Sequence, residues 1–306
     1  KLRYLAIEDS GRLVGFAPLM ALSAATGDTL HFLADVNSDY CDFAAEGNRY
    51  ACLNAVIDFL AHEHRGWDSL VLQNIPEQSP NLAALMTLCT KHGLWPRLSR
   101  RFAAPRIRFD THGSGIRLKY SVRRHCNRME RLGNVEFRVL HSKDELPRML
   151  STLYEQHIGR YRLKGEHSLF ENAHCRLFYA HLAEELLDAG WLHFSELLLD
   201  GNTIATHFGF EYDKVLTWYK PAFDSAQRQY SPGTVLLKHL IDYAARHHLD
   251  ALDFTIGDEP FKDRFSNTVC YNRNLTIYRS RSSVCCHSVR DKAVSAAKQL
   301  LNIMRK

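Results

Sequence analysis

The fold is decided by two stretches, Gln229-Tyr-Ser-Pro-Gly-Thr-Val-Leu-Leu237 and Leu252-Asp-Phe-Thr-Ile-Gly-Asp-Glu-Pro-Phe-Lys-Asp-Arg-Phe265. In the first, Ser231 is a favourable N-cap residue and Pro232 suits the first turn of a helix. Gly233 has no side chain that would block a ligand from the backbone N–H groups. Because a helix N-terminus carries partial positive charge, the stretch predicts a site for phosphate or pyrophosphate. An ordinary capped helix is the alternative.

Length and charge limit the classes of protein that need to be considered. The chain has 306 residues, of which 45% are hydrophobic, and this exceeds what one core usually supports, so two domains are expected. The net charge is only +5, but arginines are concentrated between Arg100 and Arg131. Such a concentration indicates an anionic ligand, although a solvated helix face is the commoner cause.

The cysteines and the two chain ends bear on localisation. The eight cysteines include no CxxC pair, which predicts reduced thiols and a cytoplasmic protein. No run approaches the ~18 apolar residues of a membrane span. The sequence begins without Met on an apparent strand, so we expect a missing N-terminal segment. Residues Val289–Lys306 form a basic amphipathic pattern that predicts a helix docked on the protein, with peripheral contact to the inner membrane as the alternative.

The chain contains an internal repeat. Leu2–Phe16 resembles Leu192–Thr206, because each has two β-rich runs joined by Ser-Gly or Asp-Gly, the pattern of a hairpin. In the same order, Ile57–Ala61 matches Ile241–Ala245, and a short strand pattern follows each. Two collinear matches predict a duplicated α/β unit of hairpin, helix and strand, whose first copy lacks its beginning.

The residues between the two copies are predicted to belong to the second copy. Ser121–Gly133 has the pattern of a basic helix closed by glycine, and Val135–Leu140 that of a strand. Apolar spacing predicts helices over Asp144–Tyr161 and Glu171–Ala189, the second with Leu177 and Phe178 among its apolar positions. A hairpin, a strand over Val215–Lys220, a helix, a strand, a short helix and final strands follow. This order predicts an α/β protein whose mixed sheet is flanked by helices.

From about Tyr120 to Asn267 the sequence resembles the GNAT-like acetyltransferases associated with bacterial cellulose and exopolysaccharide synthesis, tandem-GNAT relatives of the Fem-type peptidoglycan-bridge transferases. The resemblance lies in the order of short motifs: Ser121-Val-Arg-Arg-His-Cys-Asn-Arg128, Asp200-Gly-Asn-Thr-Ile-Ala205, Ala222-Phe-Asp224, Tyr230-Ser-Pro-Gly233 and Gly257-Asp-Glu-Pro-Phe-Lys262. With the repeat, it implies a tandem GNAT fold: an incomplete N-terminal half at 1–115, a C-terminal GNAT domain at 116–281 and the terminal helix at 282–306.

The resemblance also implies acetyl-CoA or another acyl-CoA as the donor. Arg228–Gly233 occupies the position of the GNAT pyrophosphate loop, whose usual form is Gln/Arg-x-x-Gly-x-Gly/Ala, and Ser231 replaces the first glycine. The strand Val215–Lys220 is expected to hold the pantetheine arm and to offer a backbone N–H to the thioester carbonyl. The predicted donor-site residues are Arg228, Tyr230, Ser231, Pro232, Gly233 and Thr234.

Three catalytic candidates come from the second stretch. In the GNAT mechanism a base takes a proton from the amine and an acid returns one to the thiolate. Lys262 matches the lysine of the Fem-type motif, where a cation stabilises the tetrahedral intermediate; a surface lysine on a short helix is the alternative. Asp258 and Glu259 are candidate bases, and helix-capping acids are an equally good interpretation of both.

The acid of the family is replaced in this chain. The family has Tyr-Lys where this sequence has Phe261-Lys262. Phe261 cannot donate a proton, so Tyr219, Tyr230 or Tyr271 would have to return it, and we take Tyr219 as the leading candidate.

No metal site is predicted. His62-Glu-His64 and His247-His248 fall at expected helix ends, where histidine is a common polar residue. Cys285-Cys286-His287 has no further ligands nearby in the sequence. His207, after the hairpin turn, is expected to fill the sheet surface rather than to face the acceptor.

The leading functional hypothesis is an acyl-CoA-dependent N-acyltransferase that acts on an amine of a sugar, sugar nucleotide or small metabolite in polysaccharide biosynthesis. Fem-like transfer from aminoacyl-tRNA is an alternative, because Arg123 and Arg124 could neutralise phosphates. A catalytically silent scaffold in an export complex is a third, suggested by Phe261 and the incomplete first copy. The acceptor, the acyl chain length and the choice of N- or O-acylation depend on loops whose shape the sequence does not reveal.

Overall fold

The computed structural model describes residues 1–24, 27–64, 66–109 and 120–284. The chain divides into two compact units: unit 1 comprises residues 1–103 with the described part of 270–306, and unit 2 comprises residues 104–269. Both units combine helices with β-sheet, which confirms the predicted α/β class with a mixed sheet. The expected boundaries at 115 and 281 remain predictions, and the predicted helix Val289–Lys306 lies outside the described residues.

Unit 1 contains two sheets and two main helices. The helices are α1 (Arg49–Asp58), which continues into a π-helical turn at Phe59–Glu63, and α2 (Pro80–Lys91). The strands are β1 (Leu5–Asp9), β2 (Arg12–Ala17), β3 (Leu19–Ala24), β4 (Gly27–Phe32), β5 (Ala44–Ala45), β6 (Trp67–Pro76) and β7 (Trp95–Arg108), with β13 (Thr268–Tyr278) from the end of the chain.

The larger sheet of unit 1 has mixed pairing. Strands β3 and β4 form an antiparallel hairpin, β4 runs parallel to β6, and β6 pairs antiparallel with β13. The hairpin β1–β2 pairs instead with β5 in a separate sheet. The predicted first hairpin is therefore present, but it does not lie in the same sheet as β6.

The helices of unit 1 begin at polar caps. Asn48 accepts a hydrogen bond from the N–H of Ala51, and Ser79 accepts one from Asn81. Each cap satisfies a donor that the first helical turn leaves without an intrahelical partner. Both helices then bury their apolar faces in one core with the strands, at positions that include Leu53, Ile57, Leu85, Leu88 and Trp67.

Unit 2 is built around a six-strand order, β7-β12-β11-β10-β9-β8. Strands β11 and β12 are parallel and the other pairs described within the unit are antiparallel. The elements are α3 (Tyr120–Glu130), β8 (Val135–Val139), α4 (Leu146–Arg162), α5 (Ala173–Asp188), β9 (Leu192–Leu199), β10 (Asn202–Tyr212), β11 (Val215–Phe223), α6 (Pro232–Arg246), β12 (Ala251–Asp253) and α7 (Pro260–Phe265), with the second half of β7.

Two apolar clusters cover the sheet of unit 2. Helices α3 and α6 contribute to one, and α4 and α5 to the other. The predicted positions Leu146, Met149, Leu150 and Leu153 on α4 are buried and Tyr154 is half-buried, but Leu177 and Phe178 on α5 are 56% and 60% exposed. Tyr179 and Ala183 are buried in their place. The expected stripe on α5 was therefore wrong at Leu177 and Phe178, because the ring of Tyr179 faces the sheet, whereas the predicted Leu182 and Leu187 do pack against the core.

None of the helices in the described residues is long and apolar enough to span a membrane.

Candidate active site

In unit 2, strand β11 continues beyond the end of its parallel partner β12, and we call this unpaired edge of β11 the cleft. The two strands pair only over Val215–Thr217 and Ala251–Asp253, after which β12 ends and β11 continues to Phe223. Strands that part leave backbone N–H and C=O groups without ladder partners. The cleft can therefore bind an extended ligand through the backbone of β11.

The chain turns away from the cleft through a strained residue. Thr255 has a φ of 60°, which is rare for a β-branched residue and costs about 1–2 kcal/mol. The N–H of Thr255 donates to Oδ1 of Asp253 over 2.8 Å, and Arg106 binds Oδ2 of the same carboxylate over 2.8 Å. Such locally held strain is concentrated at functional sites in proteins.

A β-bulge interrupts β11 beside the cleft. Lys220 pairs with Phe208 and Thr217 with Phe210, so that Trp218 and Tyr219 both lie opposite Gly209. An added Cβ on Gly209 would lie 2.3 Å from the His207 ring, so only glycine fits there. An isolated glycine within a strand is the sequence signal that could have predicted this bulge.

His207 occupies the space inside the bulge. The N–H of Tyr219 donates to Nε2 of His207 over 3.3 Å, and the imidazole stacks on Trp218 with ring centroids 5.1 Å apart. Burial, reinforced by the neighbouring His193, lowers the pKa of His207 well below its usual value, and the neutral ring can accept this hydrogen bond. His207 thus fills the sheet, as expected. The predicted N–H donor to the thioester would have to be another group of β11, since that of Tyr219 is engaged.

The predicted donor loop lies at the start of α6. Ser231 is the N-cap residue, as predicted, but its backbone is left-handed (φ 56°) and its side chain makes no capping hydrogen bond. Its carbonyl accepts from the N–H groups of Thr234 and Val235, while the N–H of Gly233 has no acceptor recorded in the described part of the chain. Pro232 has no N–H. The left-handed backbone explains why glycine is the usual residue at the position of Ser231.

An arginine of α3 contacts this loop, and an arginine of α4 lies on the end of the neighbouring strand β11. Arg128 on α3 lies 4.9 Å from the ring centroid of Tyr230, and Arg160 on α4 donates to the carbonyl of Pro221 over 2.8 Å. Arg228 is exposed beside them. Arg160 was not predicted from the sequence, because it is distant in the chain and its helix pattern carries no ligand signal. Cations beside a helix N-terminus favour an anionic ligand.

Lys262 and Glu259 form an ion pair at the other side of the cleft. Nζ of Lys262 lies 2.9 Å from Oε2 of Glu259 and donates to the carbonyl of Ile256 over 2.8 Å. Lys262 is only 3% exposed, which rules out the surface lysine of the alternative interpretation. A Cβ on Gly257 would lie 2.2 Å from Oε2 of Glu259, so the pair occupies space that this glycine leaves open.

Electrostatics keep Glu259 ionised. Partial burial is the largest single influence and opposes ionisation, but the hydrogen bond from Lys262, a backbone hydrogen bond and the charges of Lys262 and Arg160 together lower the pKa of Glu259. Glu259 lies at the N-cap position of α7 without a side-chain capping bond. The side chain therefore positions Lys262 instead of capping the helix, while Asp258 is exposed.

The tyrosine candidates are separated by the fold. The hydroxyl of Tyr219 lies 3.0 Å from that of Tyr179 on α5. Tyr230 lies under Arg128 at the donor loop, whereas Tyr271 belongs to unit 1, where Arg101 covers its ring at 3.5 Å. Phe261 packs edge-to-face on Phe254 in the core of unit 2. Tyr219 and Tyr230 therefore remain the candidates within unit 2.

Comparison with known proteins agrees with this geometry. Residues 117–263 match the family model described as an acetyltransferase (GNAT) domain. The matched residues lie within unit 2. This confirms the predicted GNAT fold and enzyme class, whereas the cellulose- and exopolysaccharide-associated type stays a prediction. No curated protein matches the sequence.

Solved structures share the fold at low identity. The C-terminal domain of a putative lysylphosphatidylglycerol synthetase from Agrobacterium fabrum is 12% identical, with a TM-score of 0.59, over 96% of this chain and 88% of that one. L-PGS from Bacillus licheniformis is 13% identical with the same TM-score and coverage. FemX is 10% identical with a TM-score of 0.62, over 93% of this chain and 89% of that one. At these identities the likeness concerns the fold alone.

Proposed function

We propose that the protein transfers an acyl group from acyl-CoA to an amine of a sugar, sugar nucleotide or small metabolite. The observation that carries the proposal is the start of α6, where a free helix N-terminus at Gly233 lies near Arg128 and Arg160 beside a split parallel strand pair. A diphosphate fits the helix end, and an extended pantetheine arm fits the exposed edge of β11. Polysaccharide biosynthesis is the setting suggested by the motifs between Tyr120 and Asn267.

The site residues suggest how transfer proceeds. The amine nitrogen attacks the thioester carbonyl carbon, the C–N bond forms, and the C–S bond breaks after the tetrahedral intermediate. Lys262 has three N–H bonds and uses two, on Ile256 and Glu259, so the third can stabilise the developing oxyanion. The amine loses its proton to a base, for which Glu259 and Asp258 are the candidates, and Tyr219 returns a proton to the CoA thiolate.

Fem-like transfer from aminoacyl-tRNA is the second candidate. Its specific support is the exposed basic face of α3, which includes Arg123 and Arg124, together with the fold shared with FemX. A phosphate backbone bound by several arginines gives affinity that falls steeply with salt. The two functions therefore differ in their ligand and in its salt dependence.

Calorimetric titration of the full chain with acetyl-CoA, free CoA and tRNA distinguishes these functions. We expect saturable one-to-one binding of acetyl-CoA that Gly233→Trp abolishes, because a Cβ at Gly233 already points at the Phe223 ring from 3.5 Å. The matched control is Ala245→Trp, which places the same indole at the exposed far end of α6. Binding retained by Gly233→Trp would refute the donor site. Binding of tRNA without binding of CoA would favour the Fem-like function, and turnover with any amine would exclude the scaffold hypothesis.

A further inference from the structure

Unit 1 brings together three potential metal ligands that are far apart in the sequence. Asp58 ends α1, His62 lies in the following π-helical turn, and His92 follows α2. Oδ1 of Asp58 lies 3.0 Å from Nδ1 of His62 and 3.3 Å from Nδ1 of His92. The three ligand atoms all lie within 4.8 Å of one another.

These separations suit one divalent cation. Ligands about 2.1 Å from such a metal stand roughly 3.0 Å apart in an octahedral shell and roughly 3.4 Å apart in a tetrahedral one. The separations of Asp58 from His62 and from His92 fall in this range. A small side-chain rotation would bring the two histidine nitrogens to the same separation from each other. Because the side chains of Asp58 and His62 are about half exposed, water can complete the coordination.

A contact on its second ring nitrogen orients His92 toward the cluster. Nε2 of His92 lies 3.1 Å from Oδ1 of Asn54, and Lys91 also donates to that oxygen, over 3.4 Å. An amide oxygen only accepts, so Nε2 carries a proton and donates to Asn54, which leaves Nδ1 facing Oδ1 of Asp58 across 3.3 Å. A hydrogen bond of this kind to the second nitrogen is how proteins orient metal-binding histidines.

The π-helical turn that places His62 is firmly held. The indole of Trp67 donates to the carbonyl of Leu60 over 2.9 Å. The guanidinium of Arg279 donates to the carbonyls of Leu60, Ala61 and His64 over 3.3, 3.2 and 3.0 Å. Single π-helical turns are rare and are frequently found at functional sites. The turn is therefore an ordered part of unit 1 that fixes His62 one turn beyond Asp58.

We propose that Asp58, His62 and His92 bind a borderline divalent cation, with Zn²⁺ as the favoured ion, and that Asn54 orients His92 for this purpose. Imidazole and carboxylate ligands suit Zn²⁺, and Co²⁺ or Ni²⁺ can replace it in such a set. The cation would join the ends of α1 and α2. The site is independent of the proposed acyl transfer in unit 2, so either can fail without the other.

The test uses the full chain, without a histidine tag and after treatment with a chelator. Titration with ZnCl₂ by calorimetry should give one-to-one binding, and CoCl₂ should produce visible absorption bands of a nitrogen-ligated ion. Saturating Zn²⁺ should raise the melting temperature by about 5 °C, because a ligand that binds only the folded state stabilises it.

Variants assign the binding to these residues. His92→Phe and Asp58→Asn should each weaken Zn²⁺ binding by at least about 100-fold, and Asn54→Ala by about 10-fold. The matched control is His167→Ala, since His167 pairs with Glu171 at the same i,i+4 spacing over 2.9 Å but lacks a second histidine. Binding that His167→Ala reduces as much as His92→Phe does, or an absence of one-to-one binding, would overturn the proposal. Circular dichroism of each variant separates lost binding from lost folding, and Asn54→Ala keeps all three ligands if the others fail to fold.

Discussion

The N–H of Tyr219 donates to Nε2 of His207 across 3.3 Å, inside the bulge of β11. The side chain of His207 on β10 therefore holds the backbone of β11, the strand that lines the cleft. The hydrogen bond requires a neutral imidazole, and burial keeps His207 neutral by lowering its pKa well below the usual value. The shape of the cleft thus depends on the protonation of a group that has no contact with solvent.

Replacing His207 tests this dependence. His207→Phe keeps an aromatic ring but leaves the N–H of Tyr219 without an acceptor, and should lower the free energy of unfolding by about 1–3 kcal/mol. His207→Gln retains an acceptor and should restore part of the loss. Urea unfolding measures stability, and KM for acetyl-CoA measures the cleft. An equal loss of unfolding free energy in His207→Phe and His207→Gln would show that packing, and not the hydrogen bond, matters at this position.

The buried histidines should make the protein sensitive to mild acid. Burial lowers the pKa of His157 to about 4 and of His193 to about 4, and it lowers the pKa of His207 well below its usual value. Each pKa lies below the unfolded value of about 6.5, so between about pH 4 and pH 6.5 the unfolded state binds more protons than the folded state does. Stability is therefore fully present above pH 6.5 and should fall toward pH 4, by up to about 1.4 kcal/mol per pH unit for each histidine. In urea titrations at several pH values, His193→Phe should reduce this slope by about one proton. An unchanged slope would contradict the assignment.

Arg148 and Glu196 form a two-pronged ion pair in unit 2. Two hydrogen bonds of 2.9 and 2.8 Å join them, and Glu196 is 1% exposed. Burial opposes ionisation of Glu196, but the bonds from Arg148 and Thr203 outweigh it and lower the pKa of Glu196. Arg148→Ala leaves a buried carboxylate and should cost about 3 kcal/mol. The control Lys143→Ala removes an exposed pair with Asp188 and should cost under about 1 kcal/mol. Comparable losses of stability in Arg148→Ala and Lys143→Ala would refute this distinction between a buried and an exposed ion pair.

Ser231 tests the left-handed start of α6. Ser231→Val places a β-branched residue at a φ of 56° and should cost about 1–2 kcal/mol while weakening acetyl-CoA binding. Ser231→Gly should retain binding, because glycine adopts this backbone without strain. Thermal unfolding and calorimetry measure the two effects. If valine were tolerated as well as glycine, the loop geometry would not depend on this residue.

Lys262 should contribute to transfer rather than to donor binding. Lys262→Met keeps the length of the side chain but removes the charge, and should lower kcat by about 100-fold or more with little change in the Kd for acetyl-CoA. Glu259→Gln tests the positioning of Lys262 and should have a smaller effect on kcat. A Lys262→Met enzyme that lost only donor affinity would place Lys262 in the donor site instead.

Much of unit 2 could be predicted from local sequence. The cap and proline before α6, the glycine turn between β9 and β10, and the apolar spacing of α4 are local signals, and the helices and strands they predict are present. The rotation of α5 was not predictable in this way, since Leu177 and Tyr179 are both apolar enough to face a core. Packing against Phe170 and Phe208 selects Tyr179.

The candidate site was predicted only in part, because much of it is assembled across the sheet. Lys262 and Glu259 lie one helical turn apart and could be proposed together, and so could Ser231 and Gly233. Arg160 reaches β11 from α4, and no local pattern indicates where its side chain points. For the same reason the sequence does not reveal the pairing of Asp58 with His92, which depends on how α1 packs beside α2.

The late position of β13 in the sequence determines when the sheet of unit 1 can be completed during synthesis. Its residues pair with β6, and the two strands are separated by the whole of unit 2. On the ribosome, the growing sheet of unit 1 would keep an unpaired β6 edge until β13 emerges, a state that favours aggregation or chaperone binding. Unit 2 is contiguous in sequence and can close its own sheet earlier. Unit 1, which starts before unit 2 in the sequence, therefore becomes complete only after it.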